Sequence, residues 1–248
     1  MTSLTPLDGP TVVIELAGTR FLVDPTFDAP QEYPVGSRSL RKLTGPTWSA
    51  ERVGPVDAVL LSHDQHADNL DHAGRAYLAT APLTLTTGLA AERLGGTARA
   101  LPSWETATVG AVTVTAVPAQ HGPDGTEHLT GPVTGFVLTA DGAPTIYVSG
   151  DNASLRVVDE VAARFPAVDV AVLFAGAART PLVDDVLTLT SDAAAEAVRR
   201  LGRPRTLPVH TDGWAHFTED GARLRAAFAT AGLTDVLLPA LPGEPVRL

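Results

Sequence analysis

The sequence has no cysteine, and no apolar run approaches the ~18 residues that a membrane-spanning helix needs. Without cysteine, a disulfide framework is excluded, and any metal ion must be bound by nitrogen and oxygen ligands. The first residues, MTSLTPLDGPTVVIEL, lack the basic and the long apolar regions of a signal peptide. We therefore expect a cytoplasmic protein that does not insert into a membrane.

Positive charge is also scarce, because 18 Lys and Arg stand against 28 Asp and Glu, which gives a net charge of -10. Nucleic acids and anionic membranes are bound by basic faces, so this balance argues against either as a partner. A small-molecule substrate is the expected partner, and the sequence leaves a homo-oligomer open.

The chain is long and apolar enough for one large core, with 248 residues of which 44% are hydrophobic. No low-complexity tract or linker interrupts it, so we predict a single domain over residues 1–248. Hairpin signals come first and strand–helix alternation follows, twice along the chain. This order predicts two sheets packed face to face with helices outside. The predicted strands are 11–16, 20–24, 57–62, 83–86, 168–174, 205–209 and 234–238, the hairpins 107–119 and 135–151, the helices 70–78, 88–95, 153–165, 191–202 (capped by Ser191) and 218–231, and the long loop 25–55.

Histidine and aspartate recur directly after apolar strands. His63 and His66 follow DAVLLS, His121 follows VTVTAVPAQ, Asp151 follows TIYVSG and His210 follows TLPV. Rigid strand ends at one edge of a sheet can aim several side chains at a single point. Imidazole and carboxylate ligands suit Zn, Mn or Fe, so the pattern predicts a site for one or two divalent ions.

Each of these residues taken alone has a simpler interpretation. Asp151 and Asn152 could cap helix 153–165, and Asp71 could be the acidic residue of a helix's first turn. His72 and His128 are expected in solvent, and His216 is expected to pack or to form a pocket wall. Four separate strand ends that each carry His or Asp favour a metal site over these separate roles.

Five segments resemble the metallo-β-lactamase-fold hydrolases, and among them the branch of ascorbate-phosphate lactonase-like and N-acyl-phosphatidylethanolamine phospholipase D-like proteins. The resemblance implies an α/β (α+β) chain folded as a four-layer αββα sandwich, with one or two metal ions at one edge between the sheets. The segments are RFLVDPTFD at 20–28, LLSHDQHADNLD at 60–71, PAQHGP at 118–123, YVSGDN at 147–152 and LPVHTDGWAHF at 207–217.

The resemblance also implies a role for each residue of the site. A first ion would be bound by His63, by one residue of the Gln65–His66 pair and by His121, and a second by Asp68, by the bridging Asp151 and by His210. The implied activity is hydrolysis of an ester, lactone, phosphodiester or amide bond by metal-activated water.

Two positions depart from the family's His-x-His-x-Asp-His pattern. One extra residue precedes Asp68, and Asn69 stands where the last histidine is expected. Either the turn bulges and His66 becomes the ligand, which we favour, or Gln65 binds the metal weakly. Asn69 offers a neutral oxygen at best, so the second site has fewer strong ligands, and Asp68 could instead orient the attacking water.

These departures also leave two other functions open. One is a degenerate member that binds a ligand without catalysis, and the other is a diiron oxidoreductase on the same scaffold. Around the site, we expect Asp64 to fix a histidine tautomer and Arg179 to meet an anionic group. Trp214 and His216 are expected to line the pocket, and Phe27 and Trp48 to cover it.

Overall fold

The computed structural model describes residues 2–36, 38–239 and 241–248. One large sheet is built mostly from the N-terminal half of the chain. Its strand order is β17-β1-β2-β3-β6-β7-β8. The strands are β1 (Ser3–Asp8), β2 (Thr11–Leu16), β3 (Thr19–Val23), β6 (Ala58–Leu60), β7 (Thr84–Thr86), β8 (Ala98–Ala100) and β17 (Val246–Arg247).

A second large sheet follows in the chain, with the order β16-β13-β12-β11-β10-β9. Two small hairpins, β4–β5 and β14–β15, lie outside both large sheets. The remaining strands are β4 (Glu32–Val35), β5 (Arg38–Arg41), β9 (Thr106–Val109), β10 (Val112–Ala119), β11 (Val133–Thr139), β12 (Ile146–Val148), β13 (Val170–Phe174), β14 (Arg179–Thr180), β15 (Val183–Val186) and β16 (Arg205–Val209).

The two large sheets pack against each other, and helices cover their outer faces. Alternation along the strands produces this arrangement: in β13, Val170, Val172 and Phe174 face the other sheet, whereas Ala171 and Leu173 face the helices. The helices are α1 (Ala50–Val53), α2 (His72–Leu78), α3 (Gly88–Leu94), α4 (Glu127–Thr130), α5 (Leu155–Arg164), α6 (Ser191–Arg200) and α7 (Gly221–Ala231).

Each outer face has its own buried cluster. Val158 of α5, Val198 of α6 and Phe228 of α7 pack on the second sheet, and Tyr77 and Leu78 of α2 pack on the first. Full burial of such a side chain contributes about 1.5–3 kcal/mol, so the layers are held mainly by apolar contact. The predicted αββα sandwich is confirmed. The single domain over residues 1–248 stays a prediction.

Several predicted elements are wrong in detail. The predicted loop 25–55 contains the β4–β5 hairpin and α1, and the predicted strand 234–238 is a 3-10 turn over Thr234–Val236. Thr190, not Ser191, caps α6, because its side chain accepts the amide of Ala193. Likewise Asp220 accepts the amide of Arg223, so α7 begins at residue 221 and not at 218. Among the described residues, no helix has the length and apolarity to cross a membrane.

Candidate metal centre

Five strand ends deliver polar side chains to one edge between the two sheets. Asp24 follows β3, His63 follows β6, His121 follows β10, Asp151 follows β12 and His210 follows β16. Within the second sheet, β10, β12, β13 and β16 all run in the same direction, so their carboxyl ends share this edge. The side chains of all five residues are buried.

A first group of possible ligands consists of His63, His66, His121 and Asp151, whose ligand atoms all lie within 4.8 Å of one another. His66 Nδ1 lies 2.8 Å from His63 Nε2 and 3.2 Å from His121 Nε2. Nδ1 of His66 carries either one proton or one lone pair, so it cannot form good hydrogen bonds with His63 and His121 at the same time. The Oδ2 atom of Asp151 is buried without a hydrogen-bond partner among the described residues. A cation shared by these atoms would satisfy all of them.

A second group consists of Asp68, Asp151 and His210. His210 Nε2 lies 3.2 Å from Asp68 Oδ2 and 3.5 Å from Asp151 Oδ1. Because Oδ2 of Asp151 faces His121 at 3.6 Å, its two oxygens point toward different groups. This is the position that a bridging carboxylate requires.

Outer hydrogen bonds turn the Nε2 lone pairs of His63 and His121 toward the centre. The Ser62 hydroxyl donates to Asp24 Oδ2 at 2.7 Å, so its oxygen accepts the proton of His63 Nδ1 at 2.9 Å. His121 Nδ1 donates to the carbonyl of Leu187 at 2.8 Å. These tautomers follow from the hydrogen-bond network, and histidines that bind metals are oriented by partners of this kind.

The charges of the cluster also suit a cation. Burial, reinforced by neighbouring histidines, holds the pKa of His63 well below its usual value and lowers the pKa of His66 to about 4. Both rings are therefore neutral near pH 7, as a metal ligand must be. Burial alone would raise the pKa values of Asp68 and Asp151, but the surrounding histidines outweigh it and lower both. Burial raises the pKa of Asp24 to about 7 despite hydrogen bonds from Ser62 and Asn69.

The structure places His66, and not Gln65, in the cluster. Gln65 is exposed beside Gly131, whereas the ring of His66 contacts those of His63 and His121. Asn69 turns its amide nitrogen toward two carboxylates, at 3.0 Å from Asp24 Oδ2 and 3.0 Å from Asp151 Oδ1. Carboxylates only accept, so this orientation points hydrogen-bond donors, and no lone pair, at Asp151.

Several residues expected around the site have other roles. The expectation that Asp64 fixes a histidine tautomer is wrong, because its carboxylate binds the guanidinium of Arg93 (Nε to Oδ2, 3.0 Å) and lies 3.7 Å from Arg75. Ser154 caps α5, so Asp151 and Asn152 are not its caps. His72 and His128 are exposed, as expected. Asp71 is the cap residue of α2.

A pocket of about 440 Å³ opens onto the cluster. Its lining includes Arg179 and His216, as expected from the sequence. His66, Asp68 and His121 reach the same pocket, and the β4–β5 and β14–β15 hairpins supply much of the remaining wall. The rest of its lining is Val35, Arg38, Ser39, Leu40, Leu129, Thr130, Ala178, Thr180, Pro181, Leu182 and Leu187.

Three aromatic residues expected at the pocket lie elsewhere. Trp214 is 2% exposed and packs its ring against Tyr33, with a centroid separation of 5.4 Å. Phe27 and Trp48 pack on the outer apolar cluster of the first sheet, where Phe27 meets Tyr77 at 5.5 Å. Burial of these large rings stabilises the segments that carry them and leaves none of them to cover the pocket.

Sequence reasoning missed three residues around the centre. Asp24 and Ser62 form the outer hydrogen bonds of His63, and Arg38 lines the pocket. Asp24 did carry a signal, because it follows the apolar strand RFLV just as the other candidates follow theirs.

The chain as a whole has counterparts among known proteins. A family model described as the beta-lactamase superfamily domain matches residues 19–211. The chain belongs to this superfamily. The resemblance predicted from the sequence is thus confirmed at the level of the superfamily.

One curated relative shares sequence with the chain, and two solved structures share its fold. A metal-dependent hydrolase of Methanosphaerula palustris is 30% identical over 196 residues, which cover 75% of this chain and 81% of that protein. A possible metal-dependent hydrolase from Veillonella parvula has a TM-score of 0.87 at 19% identity, over the full length of both chains. An isothiocyanate hydrolase from Delia radicum gut bacteria has a TM-score of 0.86 at 24% identity, over 99% of each chain. At these identities the two structures support the fold alone.

Proposed function

We propose that the protein is a metal-dependent hydrolase whose strand-end cluster binds one or two divalent ions. The observation that carries the proposal is the packing of His63, His66, His121 and Asp151, whose ligand atoms lie within 4.8 Å of one another at a pocket. Asp68, Asp151 and His210 would bind the second ion. The superfamily and the metal-dependent hydrolases among the relatives support the same assignment.

Three imidazoles and one carboxylate in the first group are nitrogen-rich, which favours Zn among Zn, Mn and Fe. When bound, such an ion polarises the scissile bond and lowers the pKa of water so that a nucleophile exists at neutral pH. The chain's own contribution is to hold His63 and His121 in the ligand tautomer, through Ser62 and the Leu187 carbonyl. Asp68 stays ionised, so if only the first ion binds, it could instead accept a hydrogen bond from water and orient that water toward the substrate.

The pocket indicates the kind of substrate. Its walls are mainly apolar, from side chains such as Leu129, Leu182 and Leu187, and two arginines, Arg38 and Arg179, add positive charge. A volume of about 440 Å³ lies in the range of small-molecule sites. We propose a small substrate with an apolar body and one anionic group. Its cleaved bond would be an ester, lactone, phosphodiester or amide.

The test begins with elemental analysis of the protein purified without chelator. We expect bound metal in the wild type and its loss in His121→Ala, because that variant removes a buried ligand. The exposed His128 provides a matched control, and His128→Ala should keep the metal. Hydrolysis of an ester, lactone, phosphodiester and amide panel should stop with chelator and return with added Zn or Mn.

The same experiment separates the alternatives predicted from the sequence. A wild type that binds neither Zn nor Mn contradicts the proposal. A protein that binds metal and ligands but hydrolyses no member of the panel is the degenerate form. The diiron oxidoreductase is identified by an iron absorption band in the visible, together with oxidation of a substrate and no hydrolysis of the panel.

A further inference from the structure

We infer that His216 supplies the imidazole that the second metal site lacks at Asn69. The inference rests on the proposed function, because it assigns a ligand to the second of the two proposed sites. Its geometric basis is the contact of His216 Nε2 with Asp68 Oδ2 at 3.0 Å.

Asn69 cannot fill this role as it stands. Its amide nitrogen donates to Asp24 Oδ2 and to Asp151 Oδ1, each at 3.0 Å. Turning the amide over would place its oxygen against Oδ1 of Asp151, which is ionised and so only accepts hydrogen bonds. Asn69 therefore links two carboxylates through its amide nitrogen, and the only lone pairs that it offers are those of the neutral Oδ1, a weaker ligand than an imidazole.

His216, in contrast, contacts the second group directly. Its Nε2 and the Nε2 of His210 approach the same oxygen, Asp68 Oδ2, at 3.0 and 3.2 Å. Two imidazole nitrogens and one carboxylate oxygen thus converge, with Asp151 Oδ1 3.5 Å from His210. These are four donors of the types that Zn and Fe accept.

The backbone holds His216 in this place. Its carbonyl accepts the amide of Arg179 at 3.1 Å, and the amide of Ala215 donates to the carbonyl of Arg41 at 3.0 Å. Bridges of Trp214 with Lys42 and of Phe217 with Ala178 flank it. The segment is therefore fixed between the β4–β5 and β14–β15 hairpins, and ligands on such a support need little ordering when an ion binds.

His216 also stands between the cluster and the pocket. Its side chain is 17% exposed and lines the pocket together with Asp68 and His66. A metal ion held partly by His216 would therefore be reached from the substrate side. The competing interpretation is that His216 only donates a hydrogen bond to Asp68 and orients it.

The experiment measures metal equivalents and affinity by titrating metal-free protein with Zn in competition with a chelating dye. The variants are His216→Ala, which removes the ring, and His216→Gln, which keeps an amide N–H donor near Nε2 but is a poor ligand. His128→Ala is the control for loss of an exposed histidine. We expect two equivalents in the wild type and the control. In both His216 variants we expect the affinity for the second zinc ion to fall by more than about 100-fold, while the affinity for the first is unchanged. Loss of a residue that only orients a ligand costs at most about 100-fold in affinity.

The inference is overturned if the affinity for the second zinc ion falls by about 100-fold or less in either variant. It is also overturned if the wild type binds only one equivalent of zinc. In those cases the first equivalent still binds, and the proposed hydrolase stands. A wild type without any bound metal instead refutes the proposed function itself, so the two failures are distinguishable.

Discussion

The buried ion pair between Lys42 and Asp71 predicts a large and specific effect on stability. Lys42 Nζ lies 2.9 Å from Asp71 Oδ2, and both side chains are 0% exposed. Lys42→Met keeps an unbranched chain of similar length but leaves the carboxylate without its counter-charge. Removing one partner of a buried pair typically costs about 3–5 kcal/mol.

Three other donors remain on the carboxylate and set the expected magnitude. The amides of Phe27, Asp28 and Gly74 donate to Asp71 at 2.9, 2.7 and 2.8 Å. The loss in the free energy of unfolding should therefore lie at the lower end of that range, about 3 kcal/mol. For a domain of this size each kcal/mol lowers Tm by about 2–4 °C, so we expect a loss of about 6–12 °C.

Urea unfolding followed by circular dichroism measures this difference directly. Arg41→Met is the matched control, since it removes a positive charge from the neighbouring exposed residue and should change the free energy of unfolding by less than about 0.5 kcal/mol. If Lys42→Met lowers the free energy of unfolding no more than Arg41→Met does, the ion pair does not stabilise the fold and the reasoning is refuted. Because Lys42 follows β5, the variant should also loosen the hairpin that brings Arg38 and Leu40 to the pocket.

Three further predictions concern the metal centre. Gln65→Ala should retain the metal of the wild type and His66→Ala should lose it in elemental analysis; the reverse result would make Gln65 the ligand. Ser62→Ala should weaken Zn binding by about 10–100-fold in a chelator competition, because it breaks the hydrogen-bonded link from His63 to Asp24, and an unchanged affinity would count against that link. In metal-free protein, His66 has a pKa of about 4 against 6.5 when unfolded, so the unfolded chain binds the extra proton and stability should fall as the pH drops from about 6.5 to 4. His66→Gln should flatten that part of the urea-midpoint profile, and an unaltered slope would show that His66 is not its source.

The central layers could be predicted from sequence because their strands carry apolar patterns. Valine and threonine alternate at the start of β10, and β13 is a continuous apolar run whose residues face the inter-sheet core and the helices in turn. The β4–β5 hairpin carries no such period, because all of its described side chains except Tyr33 are at least partly exposed. β1 contains Pro6, which argues against a strand, yet it pairs with β2 across an irregular register.

The candidate site could be predicted as a set of strand ends but not in its details. The order of histidines and aspartates indicated which residues converge, since parallel strand ends share an edge. The choice between Gln65 and His66 depends on which of the two adjacent side chains the turn after His63 directs inward, and that is decided by how the turn packs. The approach of His216 to Asp68 depends on bridges to two hairpins that were not predicted, so the sequence indicated only a packing or pocket-lining residue there.

Anomalous diffraction at a metal absorption edge tests the central claim most directly. The account predicts a peak within bonding distance of His63, His66, His121 and Asp151 in crystals of protein purified without chelator. No peak there after soaking with Zn and Mn, with the four side chains ordered and bonded only to one another or to water, would contradict it.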